Sequence, residues 1–99
     1  MKRALIAAVM AFAFVQGTAA DPAVEEKYAK TCAVCHAAGV AGAPKTGVPA
    51  DWEPRLAKGN DVLLSSMKNG LNAMPPKGMC MDCSDDDYIA LIEYMAKAQ

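Results

Sequence analysis

The chain has 99 residues, ten Lys/Arg, eleven Asp/Glu and a formal net charge of −1, with no basic cluster or stripe, which excludes the electrostatic footprint of a nucleic-acid binder. The length admits one small domain. Below roughly 70–80 residues a side-chain core seldom outweighs chain entropy without a staple, and seven Met, four Cys and a single His suggest what supplements it here.

The first twenty residues carry Lys2 and Arg3, then the apolar run from Ala4 to Val15, then the small residues Gly17, Thr18, Ala19 and Ala20. This layout predicts a secretory signal peptide over residues 1–20, cleaved after Ala20 to leave a domain of residues 21–99. The alternative is a retained anchor. The apolar run falls short of the roughly 20 residues a spanning helix needs, and no later stretch is long or apolar enough to enter a bilayer.

Asp21 and Pro22 form a helix entrance, a side-chain cap followed by a proline at the first helical position, and the pattern predicts helix over about 22–35. Residues 37–49 contain Gly39, Gly42, Gly47, Pro44 and Pro49 and are predicted as loop. A short helix is expected over 51–58, with Pro54 tolerated in its first turn and Gly59 ending it. Asn60 or Asp61 then caps a helix whose apolar side is Val62, Leu63, Leu64 and Met67, stopped by Gly70. Pro75, Pro76 and Gly78 make residues 70–83 a second long loop. Ser84 and Asp87 supply a capping pattern for a last helix over about 85–97, where Tyr88, Ile89, Leu91, Ile92 and Met95 recur at helical spacing. No segment alternates as a strand, so the expected class is all-α, about four short helices with long loops.

Chemistry concentrates at Cys32-Ala33-Val34-Cys35-His36. Spacings of three and four place two thiols and an imidazole on one face of a helical turn. Each thiol can add to one vinyl group of a haem while the imidazole reaches the iron, so the motif predicts covalent haem c bound by Cys32 and Cys35, with His36 as an axial ligand. A thioredoxin-like pair belongs in a βαβ setting, which is missing. A zinc site pairing 32/35 with 80/83 needs a gap far beyond the usual ~15–20 residues and leaves His36 without a role.

An electron-shuttling haem has both axial positions filled, and a thioether opposite imidazole raises the potential. Met67 and Met95 sit among apolar helical neighbours and read as core. Met74 lies in a loop and is stiffened by Pro75 and Pro76, so it is the expected second axial ligand; Met79 and Met81 share that loop and are the alternatives. Cys80 and Cys83 lack a following His, since Ser84 stands there, and an oxidising compartment favours a disulfide between them. That bridge would clamp the Met74 loop to the last helix; a redox-active dithiol is the other reading.

Three segments together, Cys32-Ala33-Val34-Cys35-His36, Asn72-Ala73-Met74-Pro75-Pro76-Lys77-Gly78 and Cys80-Met81-Asp82-Cys83-Ser84-Asp85, carry a resemblance to the class I c-type cytochromes, within them the small bacterial cytochrome c5 group. The match runs from about Tyr28 to Met95. The resemblance implies first and last helices crossing near one edge of a single haem, with another haem edge exposed. It also implies that the Pro44 carbonyl accepts the Nδ1 proton of His36 and that Trp52 and Arg55 lie near the haem propionates. The implied activity is one-electron transport rather than enzymatic catalysis, by a soluble periplasmic monomer or weak dimer. Its implied partners are respiratory redox proteins such as a quinol-oxidising complex and a terminal oxidase or reductase.

Overall fold

The computed structural model describes residues 21–99; the expected signal peptide over residues 1–20 lies outside the described residues. Among the described residues five α-helices follow in chain order: α1 Pro22–Lys30, α2 Ala33–His36, α3 Pro49–Leu56, α4 Asn60–Asn69 and α5 Asp85–Ala96. Two short 3-10 turns, Val40–Gly42 and Pro76–Met79, lie in the long loops. Among the described residues there is no strand, only an isolated bridge between Leu71 and Met74. No described helix is long and apolar enough to cross a membrane.

α1 starts where the sequence sets it, with the Asp21 carboxylate accepting from the Ala23 N–H and Pro22 at the first helical position. It ends earlier than expected. No Gly or Pro marks the break, but the Thr31 hydroxyl donates to the Lys27 carbonyl at 2.7 Å and the Thr31 backbone leaves the helical region (φ −127°, ψ −69°). A short polar side chain competing for a backbone acceptor is a recognised way to end or bend a helix. The break puts Cys32, Cys35 and His36 on a separate turn, with the His36 N–H bonded to the Cys32 carbonyl at 3.0 Å.

α3 begins two residues before its expected start because Pro49 takes the first helical position. Pro54 therefore falls inside the helix rather than in its first turn, and the Ala50 carbonyl loses the N–H that an ordinary residue at position 54 would supply. Both residues are exposed, so water can meet that carbonyl. α4 is capped by Gly59 (φ +90°) rather than by Asn60 or Asp61, and Gly70 ends it at φ +83°.

α5 carries most of the core. Ser84 and Asp87 form a reciprocal capping box, and Tyr88, Leu91, Ile92 and Met95 line one buried stripe, Leu91 and Met95 almost wholly without solvent contact. The Tyr88 hydroxyl donates to the Cys80 carbonyl at 2.8 Å, which ties the second long loop to this helix. α1 packs on α5 through an edge-on Tyr28–Tyr94 pair with ring centroids 5.0 Å apart. α3 adds Trp52 and α4 adds Met67 to the same core.

Lys27 and Asp87 pair across the α1–α5 contact at 2.8 Å. The Lys27 ammonium, and after it the Ser84 N–H, hold the Asp87 carboxyl below its ordinary value. A pKa depressed by folding adds stability above the unfolded value, and that stability is lost as pH falls through the folded one. Asp87→Asn is therefore expected to melt below the wild type at neutral pH, with the gap closing as pH drops below about 4. Both side chains reach water, so the effect is small. Thermal unfolding of the two proteins across this pH range checks the sign.

Candidate haem cleft

The helices and the two long loops leave an open cleft with a largely apolar wall, the usual character of a cofactor site. α2 delivers Cys32, Cys35 and His36 to it, and Met74 reaches it from the second long loop. Met67 and Met95, read from sequence as core, are buried and also line its wall.

His36 is 7% exposed, and its Nδ1–H donates to the Pro44 carbonyl at 2.8 Å. This bond fixes the tautomer and leaves Nε2 as the nitrogen able to bind a metal. The Thr46 N–H donates to the His36 carbonyl at 2.9 Å, so ring and backbone are both held by residues 44–46. Cys32 and Cys35 are free thiols. Burial pushes the Cys32 thiol up, with the Thr31 hydroxyl beside it acting the other way, the reverse of the lowering that activates a thioredoxin-like nucleophile.

Met74 is half-buried in a tight turn in which its N–H donates to the Leu71 carbonyl (2.8 Å) and its carbonyl accepts from the Leu71 N–H (3.1 Å). The alternatives differ in placement. Met81 is 69% exposed and does not line the cleft, whereas Met79 lines it while remaining 57% exposed. Cys80 and Cys83 are joined by a disulfide, their Cα atoms 5.5 Å apart, between the Met74 loop and α5. Arg55 lines the cleft and donates to the Asp51 carbonyl. Trp52 lies against His36: its indole stacks on the imidazole, centroids 5.5 Å apart, and its N–H is committed to the Lys45 carbonyl at 2.9 Å.

Sequence reasoning missed the backbone conformations that shape the wall. Ala41, Asn72 and Met79 line the cleft from left-handed backbone conformations, with φ of 54°, 52° and 68°. Such values are uncommon outside glycine, and for Ala and Met no residue type announces them. Gly70 does carry a signal. A Cβ there would stand 2.8 Å from the Met74 carbonyl oxygen and 3.0 Å from the Pro76 nitrogen, at φ +83°. Gly70→Ala is expected to cost about 2 kcal/mol or more, because neither backbone atom can give way cheaply. Gly42→Ala, where φ is +80° but nothing lies within 4 Å, should cost less, and denaturant midpoints of the two variants measure the difference.

Two thiols, an imidazole with Nε2 left for metal and a thioether all face one largely apolar cleft, a donor set that fits a covalently attached haem. Fold and cleft together define a small monohaem cytochrome of class I. Comparison with known proteins agrees. Residues 19–95 match the family model described as Cytochrome C oxidase, cbb3-type, subunit III. Cytochrome c5 of Ectopseudomonas mendocina is 50% identical over 70 residues, covering 69% of this chain and 80% of that one. The solution structure of a mono-haem ferrocytochrome c from Shewanella putrefaciens is 64% identical, covers 77% of this chain and 94% of that one, and superposes with a TM-score of 0.67. A cytochrome c solved in an electron transfer complex with nitrite reductase is 44% identical, covers 79% of this chain and 95% of that one, and gives a TM-score of 0.68. The chain belongs to the class I c-type cytochromes, in the cytochrome c5 family. It is a small electron carrier with one covalently bound haem c, and not an enzyme.

Proposed function

We propose that the protein is a soluble periplasmic carrier that moves single electrons between respiratory redox proteins, with Cys32 and Cys35 holding the haem and His36 and Met74 as its axial ligands. The observation that carries this reading is the convergence of those four side chains on one cleft, with His36 already bonded through Nδ1 to Pro44. When bound, the haem supplies a one-electron change between ferric and ferrous iron.

The chain's own residues do the rest. The Pro44 carbonyl keeps the imidazole in one orientation and raises its basicity. Met74 would hold the second coordination position of a bound haem, which would keep oxygen and peroxide off the iron and so separate a carrier from a peroxidase or gas sensor. Met67, Met95 and the loop backbones exclude water from the wall and lower the local dielectric, a recognised lever on potential. Arg55 offers a guanidinium where a carboxylate of the cofactor can lie.

The export layout of residues 1–20 supports a periplasmic location. The similar cytochrome solved in complex with nitrite reductase supports a redox protein as partner; the specific pair proposed is a quinol-oxidising complex as donor and a terminal oxidase or reductase as acceptor.

The test is a pair of absorption spectra, oxidised and reduced, of protein made in a host with haem-attachment machinery. Colour that survives acid extraction, together with the near-infrared sulfur-to-iron band, is the expected result. Covalent colour without that band would replace the carrier reading with an open-iron one, which carbon monoxide binding at neutral pH would confirm. Gel filtration of native extract is expected to show a free small protein rather than a subunit of a larger complex.

A further inference from the structure

Residues 44–47 act as a strap over His36, and each of its residues is held by hydrogen bonds. The Pro44 carbonyl accepts the His36 Nδ1–H at 2.8 Å, and the Thr46 N–H donates to the His36 carbonyl at 2.9 Å. Lys45 donates its N–H to an Asp51 carboxylate oxygen at 3.1 Å, and its carbonyl accepts the Trp52 indole N–H at 2.9 Å and the Val48 N–H at 3.2 Å. The Tyr28 hydroxyl donates to the Thr46 hydroxyl at 2.9 Å, and the Gly47 N–H donates to the Met95 carbonyl at 2.9 Å. Among these anchors Trp52 also contacts the imidazole directly. It is 4% exposed, and its ring stacks on His36 with centroids 5.5 Å apart and planes 28° apart.

We infer that Trp52 is a positioning residue for His36. Its indole face limits the tilt of the imidazole, while its N–H holds the Lys45 carbonyl and thereby keeps the neighbouring Pro44 carbonyl on Nδ1. The inference rests on the proposed role of His36 as an axial ligand. A buried Trp seeks some acceptor for its N–H whatever its role. Here the acceptor is one peptide unit from the carbonyl that sets the His36 tautomer, and the same indole covers the ring that the carbonyl orients. Hydrogen bonding of the outer nitrogen tunes how strongly a histidine donates to its metal, so Trp52 acts on the iron through His36 without touching it.

The two contacts can be separated. Trp52→Phe keeps an aromatic face but has no N–H, and Trp52→Leu lacks both. In the reduced haem-loaded protein, NMR reads the shifts of the His36 ring protons and the solvent exchange of Nδ1–H. Trp52→Phe is expected to speed Nδ1–H exchange on the order of fivefold to tenfold, the effect of loosening one buried hydrogen bond on a local equilibrium. Trp52→Leu is expected in addition to displace the ring-proton shifts. Ser84→Ala, which weakens the α5 cap away from the strap, serves as a destabilised control and should leave both readouts at wild-type values.

If Trp52→Phe lowers stability yet leaves exchange and ring shifts as in the wild type, Trp52 is a packing residue only and the inference is overturned. Should Trp52→Leu fail to fold, the Phe variant alone decides. A wild-type protein whose His36 ring protons lack the large upfield shifts of an iron-bound imidazole would overturn the ligand assignment itself, a result distinguishable from failure of the Trp52 inference.

Discussion

Replacing both Cys32 and Cys35 with Ala is expected to give a protein whose haem is lost on acid extraction and whose apo chain no longer unfolds cooperatively at 25 °C. The described hydrophobic core consists of eight buried residues, and three of them, Cys32, Met67 and Met95, also line the cleft. Removing what fills that cleft would leave apolar walls in contact with water or force them to collapse. A domain of this size already buries only about 60% of the surface its unfolded chain exposes and has little stability in reserve. Far-UV circular dichroism and the sharpness of the thermal transition measure the second effect. Colour retained after extraction of the double variant would show that the attachment points are elsewhere.

Replacing Met74 with Ala is expected to abolish the near-infrared sulfur-to-iron band, let the reduced protein bind carbon monoxide, and lower the reduction potential by on the order of 100 mV, within the ~0.8 V that axial ligands span. The helices should persist, because Met74 belongs to a loop turn held by its backbone bonds to Leu71 and those bonds do not need the side chain. The side chain is nevertheless confined: a Cβ at Gly78 would lie 3.0 Å from its terminal methyl. Met79→Ala is the informative companion. Met79 shares the cleft wall but is 57% exposed, and its loss should leave the band in place. Loss of the band in Met79→Ala instead would reassign the ligand.

Both predictions depend on a division of labour within the sequence. Features set by neighbours along the chain could be read without coordinates. The cap at Asp21 and Pro22 and the capping box of Ser84 and Asp87 mark helix starts because a few consecutive residues satisfy the first N–H groups. The spacing of Cys32, Cys35 and His36 reads equally well, since one helical turn has a fixed rise and rotation.

Other features were not legible for definite reasons. The break after α1 turns on a threonine hydroxyl taking the Lys27 carbonyl, a choice that residue type permits but does not force. The internal position of Pro54 followed from Pro49 starting α3 early, where either proline could have served as the first helical residue. For Trp52 no residue pattern announced its two contacts, the N–H on the Lys45 carbonyl and the ring face on His36.

The sequence alone thus determined an all-α domain, the starts of α1 and α5 and the local geometry of the Cys-x-x-Cys-His turn, because each depends on separations of a few residues. Only the tertiary structure decided which methionines face the cleft, what Trp52 contacts, and how residues 44–47 bind His36 to Tyr28, Trp52 and Met95. Those contacts join residues far apart in the chain through loops rich in Gly and Pro. Loop closure selects among many such pairings by total packing, which no local pattern encodes.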